Sequence, residues 1–275
     1  MSMDLPVLSM ALMLVTAIMC FVIPIVLLIV FKIKGADILP FFIGSAAFIV
    51  FALVIEGAIN FGVSRSPLWE KISGNVFIYG IYGGLMAGLF EETGRFIAFK
   101  TVLKKRLGND KNALMYGAGH GGIEAILLVG LSYITYLIMI PLFRSGMLAQ
   151  SMPPEAMEQV VPVLEKIVSA PSTDYLLALF ERVLAISMHV ALSVLVWFAA
   201  KRRDRAILYP AAILLHALSD FIVVIASSYL PSWATEAILA ICTAALCIIS
   251  AIVWKKSREV PADISFDPPA EPAAE

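Results

Sequence analysis

Long apolar runs separated by short polar clusters make up most of the chain: residues 5–31, 38–59, 76–99, 112–142, 174–200, 206–228 and 232–254. Each is long enough, at roughly 20 residues or more, to cross a bilayer as a helix. In lipid only a helix or a closed barrel satisfies its own backbone, and runs of this length predict helices. The pattern therefore predicts an all-α, polytopic membrane protein with seven transmembrane helices within residues 1–258. The first run has no basic segment ahead of it and is too long for a signal-peptide core, so it is expected to remain a transmembrane helix.

Composition agrees: 60% of the 275 residues are hydrophobic and 15% are charged, with a mean hydropathy of +0.91, outside the range of soluble domains. A net charge of −1 gives no reason to expect a nucleic-acid partner. Cys20, Cys242 and Cys247 all lie in apolar runs and read as small packing residues. Basic residues set the orientation, since Lys and Arg in short loops stay on the cytoplasmic side. Fourteen of them, among them Lys104, Lys105, Arg106, Arg202, Arg203 and Lys255, fall in one set of loops, and four, Arg65, Lys71, Arg144 and Lys166, in the other. The N-terminus is thus expected outside the cytoplasm and the C-terminus inside, in a multi-pass protein of the cell membrane. The connection 143–173 alternates apolar residues with Glu155, Glu158 and Glu165, which predicts a short interfacial helix limited by Pro153, Pro154 and Pro162. The tail 259–275, rich in Pro, Ala and acids, is expected to be disordered.

Charge inside the predicted spans is the exception to this pattern, and an ionisable group there marks function by default. All three histidines are intramembrane, each with a polar companion four residues on: His120 with Glu124, His189 with Ser193, His216 with Asp220. Glu91 likewise precedes Arg95, beside Glu92. Residues four apart share a helix face, so each pair is expected to project as a unit. At about 1.5 Å per residue, Glu92 and His120 lie roughly 12 Å, His216 roughly 16 Å and His189 roughly 18 Å from the basic ends of their helices. Four helices thus bring polar groups to one layer. Gly80, Gly84 and Gly88 form a G-x-x-x-G ridge, and Gly117, Gly119, Gly121 and Gly122 surround His120. They predict close packing of the third and fourth spans, with room for local unwinding at His120. Glu56, Glu181 and Arg182, nearer the span ends, read as structural or interfacial charges.

Such a constellation suits hydrolysis: a buried Glu as general base, and His with Asp to stabilise a developing oxyanion. His120, His189 and His216 with a Glu would also match the ligand types of zinc, although no H-E-x-x-H spacing is present. A proton-coupled transporter would use the same residue types. No internal repeat of the kind found in many transporters is visible.

The motifs E-E-x-x-R at Glu91, Glu92 and Arg95, aromatic-x-x-x-His at Tyr116 and His120, and H-x-x-x-D at His216 and Asp220 resemble the CPBP (Abi) superfamily of intramembrane proteases, which includes CAAX endopeptidases and the PrsW proteases. The stretches YGAGHGGIEAI and ERVLAISMHVALS are closest to its YhfC branch of membrane peptidases. Arg95 comes one residue earlier than the common E-E-x-x-x-R, Tyr116 replaces the common Phe, and Asp220 the common Asn. The resemblance implies an intramembrane endopeptidase acting on a membrane-embedded or membrane-anchored protein. Glu91 would be the leading base, with Glu92, Arg95, Glu124 and His189 supporting, His120 acting on the water or leaving group, and His216 with Asp220 stabilising the oxyanion. The superfamily also contains a non-catalytic scaffold, which keeps a scaffold or chaperone role as the alternative.

Overall fold

A computed structural model describes residues 4–258, and the expected tail lies outside the described residues. In chain order its helices are α1 (Val7–Ile33), α2 (Leu39–Ser64), the short α3 (Leu68–Ser73), α4 (Val76–Lys100), α5 (Lys111–Arg144), the short α6 (Met147–Ser151), α7 (Pro154–Ser169), α8 (Ser172–Lys201), α9 (Leu208–Tyr229) and α10 (Ser232–Ser257). Six of these, α1, α2, α5, α8, α9 and α10, are long and apolar enough to cross a membrane. The 25-residue α4 is of spanning length too, but it carries Glu91, Glu92 and Arg95 in its interior. Its start is fixed by Asn75, whose side chain accepts from the amides of Phe77 and Ile78 at 2.9 and 3.2 Å, satisfying two donors that every helix start leaves open.

Glycines decide which helices touch. A Cβ at Gly84 would collide with the carbonyl of Ala217, and one at Gly88 would come within 2.6 Å of the carbonyl of Ile213. The G-x-x-x-G ridge of α4 therefore packs on α9, not on α5 as its spacing suggested. A ridge of small residues says that some backbone comes close, without saying whose. The glycines around His120 serve other neighbours. A Cβ at Gly117 would stand 2.5 Å from Val190 Cα and one at Gly121 2.9 Å from Ile186 Cα, both on α8, while Gly119 faces the carbonyl of Phe41 on α2. Around His120 the helix stays regular from Lys111 to Ala125, and the irregularity is a π-helical stretch at Ile126–Gly130; α2 has another at Phe48–Glu56.

Helix α8 runs through the middle of the bundle, its apolar stretch largely enclosed by its neighbours. Toward the basic loops it builds a solid core of Leu192, Leu195, Trp197 and Phe198 with Phe99, Leu103 and Tyr116. The loops at that end are knit together. Asn109 Nδ2 donates to the carbonyl of Gly35 at 2.8 Å, and Asp110 Oδ1 accepts from Trp197 Nε1 at 2.9 Å and Lys201 Nζ at 2.8 Å. At the far end α7, sixteen residues long with Pro162 inside it, lays Leu164, Ile167 and Val168 against Ile140 and Leu148.

Candidate active site

The polar layer expected from the sequence forms one connected group, but its pairs cross between helices. Arg95 pairs with Glu92, not Glu91: Nη1 donates to both carboxylate oxygens of Glu92 at 2.6 and 2.7 Å, with both side chains fully buried. Two charges withdrawn from water this completely tolerate burial only as a pair. His216 adds its Nδ1 at 2.9 Å from Glu92 Oε1. Because Glu92 lies against a guanidinium and accepts there, this His216 nitrogen donates. The other His216 nitrogen, Nε2, stands 3.6 Å from Asp220 Oδ2, so this pair alone keeps its expected i,i+4 partner.

Glu91 makes a second set. Its Oε2 lies 2.9 Å from His120 Nε2 and 3.8 Å from His189 Nδ1. Glu124, expected to serve His120, instead reaches across to α8, where its Oε2 is 2.5 Å from His189 Nε2. Arg95 Nη2 lies 3.2 Å from His189 Nδ1. A guanidinium has only donors, so that nitrogen accepts and the imidazole proton sits on Nε2, toward Glu124. Ser193 has no part in this: its hydroxyl donates back to the carbonyl of His189 at 2.7 Å. The imidazoles stand close together, with ring centres 4.7 Å apart for His120 and His189 and 5.5 Å for His189 and His216.

Glu91, His120 and His189 each offer one ligand atom, all within 4.8 Å of one another and all buried. Two ligands about 2.05 Å from a tetrahedral zinc stand roughly 3.3 Å apart, a value bracketed by the 2.9 and 3.8 Å separations from Glu91 Oε2. Two imidazoles and a carboxylate are a known donor set for zinc in hydrolases. Glu124 supplies the carboxylate that typically orients a ligating histidine from behind. The residues present thus fit a divalent cation. Of the three histidines and a Glu that the sequence suggested as ligands, His216 stands outside this group, its Nδ1 committed to Glu92.

A cavity of about 610 Å³ reaches this group, lined at its floor by Glu91, Glu124, His189, His216 and Asp220. Glu92 and His120 lie behind that floor, which separates the two glutamates: Glu91 faces the cavity, and Glu92 is held by Arg95 and His216. The layer sits nearer the basic loops, yet the cavity runs the other way, toward Ser64, Trp69 and Tyr79. Glu91 is fifteen residues into α4, roughly 22 Å along the helix.

Two features near the span ends belong to this site. Arg182 is buried and donates to Glu124 Oε1 at 2.7 Å and to Glu181 Oε1 at 2.5 Å, so it holds the carboxylate behind His189. Glu56 does not reach for the interface: Asn60 Nδ2 donates to it at 3.1 Å, and Tyr82 donates to Asn60 Oδ1 at 2.5 Å in the cavity wall. The available signal was a charged pair, Glu181 and Arg182, set inside a predicted span rather than in its loop.

The model of the YhfC intramembrane metalloprotease family matches residues 19–243. A relative in Bacillus subtilis (strain 168), the uncharacterized membrane protein YhfC, is 39% identical over 202 residues, covering 72% of this chain and 77% of its own. No solved structure matches the chain.

Proposed function

This chain belongs to the YhfC intramembrane metalloprotease family, and on that premise we propose that it hydrolyses a peptide bond of a membrane-associated protein at the floor of the cavity. The observation that carries this reading is the convergence of Glu91 and His189, at the floor of a cleft, with His120 directly behind it, inside a multi-pass integral membrane protein. These side chains would hold a divalent cation such as zinc, which when bound makes water nucleophilic near neutral pH and polarises a carbonyl. In this reading α4 is a seventh crossing, and the basic loops lie in the cytoplasm.

Each residue then has a task. Glu124 keeps the proton of His189 on Nε2, leaving the Nδ1 lone pair toward Glu91, and Arg182 keeps Glu124 in place. Arg95 gives up its bond to that Nδ1 when the cation is held and stays anchored on Glu92. His216, with Nδ1–H on Glu92, turns Nε2 to the cavity beside Asp220. There Nε2 takes up the proton that the attacking water releases, donates it to the oxygen that gains charge as the water adds to the carbonyl carbon, and then passes it to the leaving amine. The C–N bond breaks, and the products are a carboxylate and an amine.

The test is quantitative mapping of new protein N-termini in membranes from cells expressing the wild type, Glu91→Gln or His216→Ala. Cleavage events present with the wild type and absent with both variants support the reading. The same cleavage pattern in all three would end it.

A further inference from the structure

The two ends of the bundle treat the site differently, and the difference defines what reaches it. Between the histidine layer and the basic loops, Phe99, Leu103, Tyr116, Leu192 and Trp197 are all 0% exposed. Phe99 packs edge-on against both Tyr116 and Trp197, with ring centres 4.6 and 4.9 Å apart. These side chains close that end of the bundle as a buried plug. Toward the other end the cavity continues past Gly83, Val223 and Leu239 to Ser64 and Trp69.

Resting on the peptidase reading, we propose that the site is reached from the end of the bundle opposite the basic loops, and that it takes an extended stretch of peptide chain carrying no negative charge.

Size sets the conformation. One turn of helix, 10–12 Å across and 5.4 Å long, fills roughly 420–610 Å³. The cavity's 610 Å³ is of the order of a single turn, far short of a whole transmembrane helix of about 20 residues. A segment that reaches Glu91 has to be unwound. Charge sets the chemistry. The lining brings four carboxylates, Glu91, Glu124, Glu181 and Asp220, against one guanidinium, Arg182, already bonded to two of them. His189 and His216 line the cavity as well, and with both imidazoles neutral the balance stays negative when a divalent cation is held. A cleft walled by apolar surface and lined by one sign of charge concentrates the opposite sign and repels its own. A free C-terminal carboxylate or an acidic side chain is disfavoured there.

The test reads the route without requiring cleavage. In a background with Cys20, Cys242 and Cys247 replaced by Ala, Val223→Cys is placed in the cavity wall and Gly108→Cys in the exposed turn among the basic loops. Both are treated, in sealed vesicles of either orientation, with two membrane-impermeant methanethiosulfonates of similar size, the cationic trimethylammonium-ethyl and the anionic sulfonatoethyl reagent. Rates are normalised to those with a small thiol in solution. Val223→Cys is expected to react from the face opposite to Gly108→Cys, and faster with the cation by roughly tenfold. Reaction from the same face as Gly108→Cys, equal or inverted charge preference, or no reaction at all overturns the proposal. A Cβ at Gly83 would meet no neighbouring atom within 4 Å, so adding Gly83→Leu narrows the cavity and should slow labelling of Val223→Cys several-fold, leaving that of Gly108→Cys as it was. Labelling as expected without cleavage of any membrane protein leaves the route standing and removes the peptidase reading. Cleavage with labelling from the basic face does the reverse.

Discussion

Two halves of the same helices are built for opposite purposes. On the basic-loop side α4, α5 and α8 present Phe99, Tyr116 and Trp197, which fill the bundle axis. On the other side α4 presents Gly83 and Gly84, α8 Ala185 and α9 Val223, and the bundle stays hollow. The polar layer lies at the junction, with the packed wall on one side of it and the cavity on the other. Glu92 and Arg95 are buried together on the solid side, and Glu91 is left facing the hollow one.

Substitutions on the two sides should separate accordingly. Trp197→Ala is expected to cost about 3–5 kcal/mol, because the plug cannot collapse around so large a void. Arg95→Met should cost about as much, roughly 3–5 kcal/mol, by leaving Glu92 charged and unpaired in the interior. Both are read as denaturation midpoints in detergent. A loss under 1 kcal/mol for either would mean that this side is not the rigid one. Removing the support behind His189 with Arg182→Met is expected to weaken zinc binding about 10–100-fold with the fold intact, measured by competition with a chelator. An unchanged affinity would detach Arg182 and Glu124 from the site. In the hollow wall, Tyr82→Phe deletes one hydrogen bond, to Asn60, at a cost of about 0.5–1.5 kcal/mol. The smallest effect belongs to the knitted loops. Asp37, bonded to Asn112 and then to Arg106, has its carboxyl held below the usual range. Its contribution is therefore present above the unfolded carboxylate pKa near 4 and lost as pH falls below it. Asp37 is half exposed, so Asp37→Asn should cost no more than about 1 kcal/mol at pH 7 and nothing measurable at pH 2.

The helices were largely legible in the sequence, because uniformly apolar runs in a membrane protein leave little else to form. The last predicted run, 232–254, became Ser232–Ser257. The layer was legible as well, since counting residues from the basic ends places Glu92, His120, His189 and His216 at similar depth. What helical spacing left open was partnership. Periodicity tells which side chains share a face but not which neighbour that face meets. Glu124 therefore read as the companion of His120 when it belongs to His189, and the glycine ridge of α4 read as facing α5 when it faces α9. The π-helical stretches at 48–56 and 126–130 left no mark either, because a wider turn in an all-apolar run changes no pattern.

In the proposed mechanism Glu91, His120 and His189 hold one divalent cation at the cavity floor. Metal analysis by mass spectrometry of purified, folded protein tests it most directly. About one zinc-like ion per chain is expected in the wild type, lost in Glu91→Gln and in His120→Ala and kept in His216→Ala. Wild-type protein that cleaves its substrate without metal, or a His120→Ala, His189→Ala double variant that keeps its ion, would contradict it.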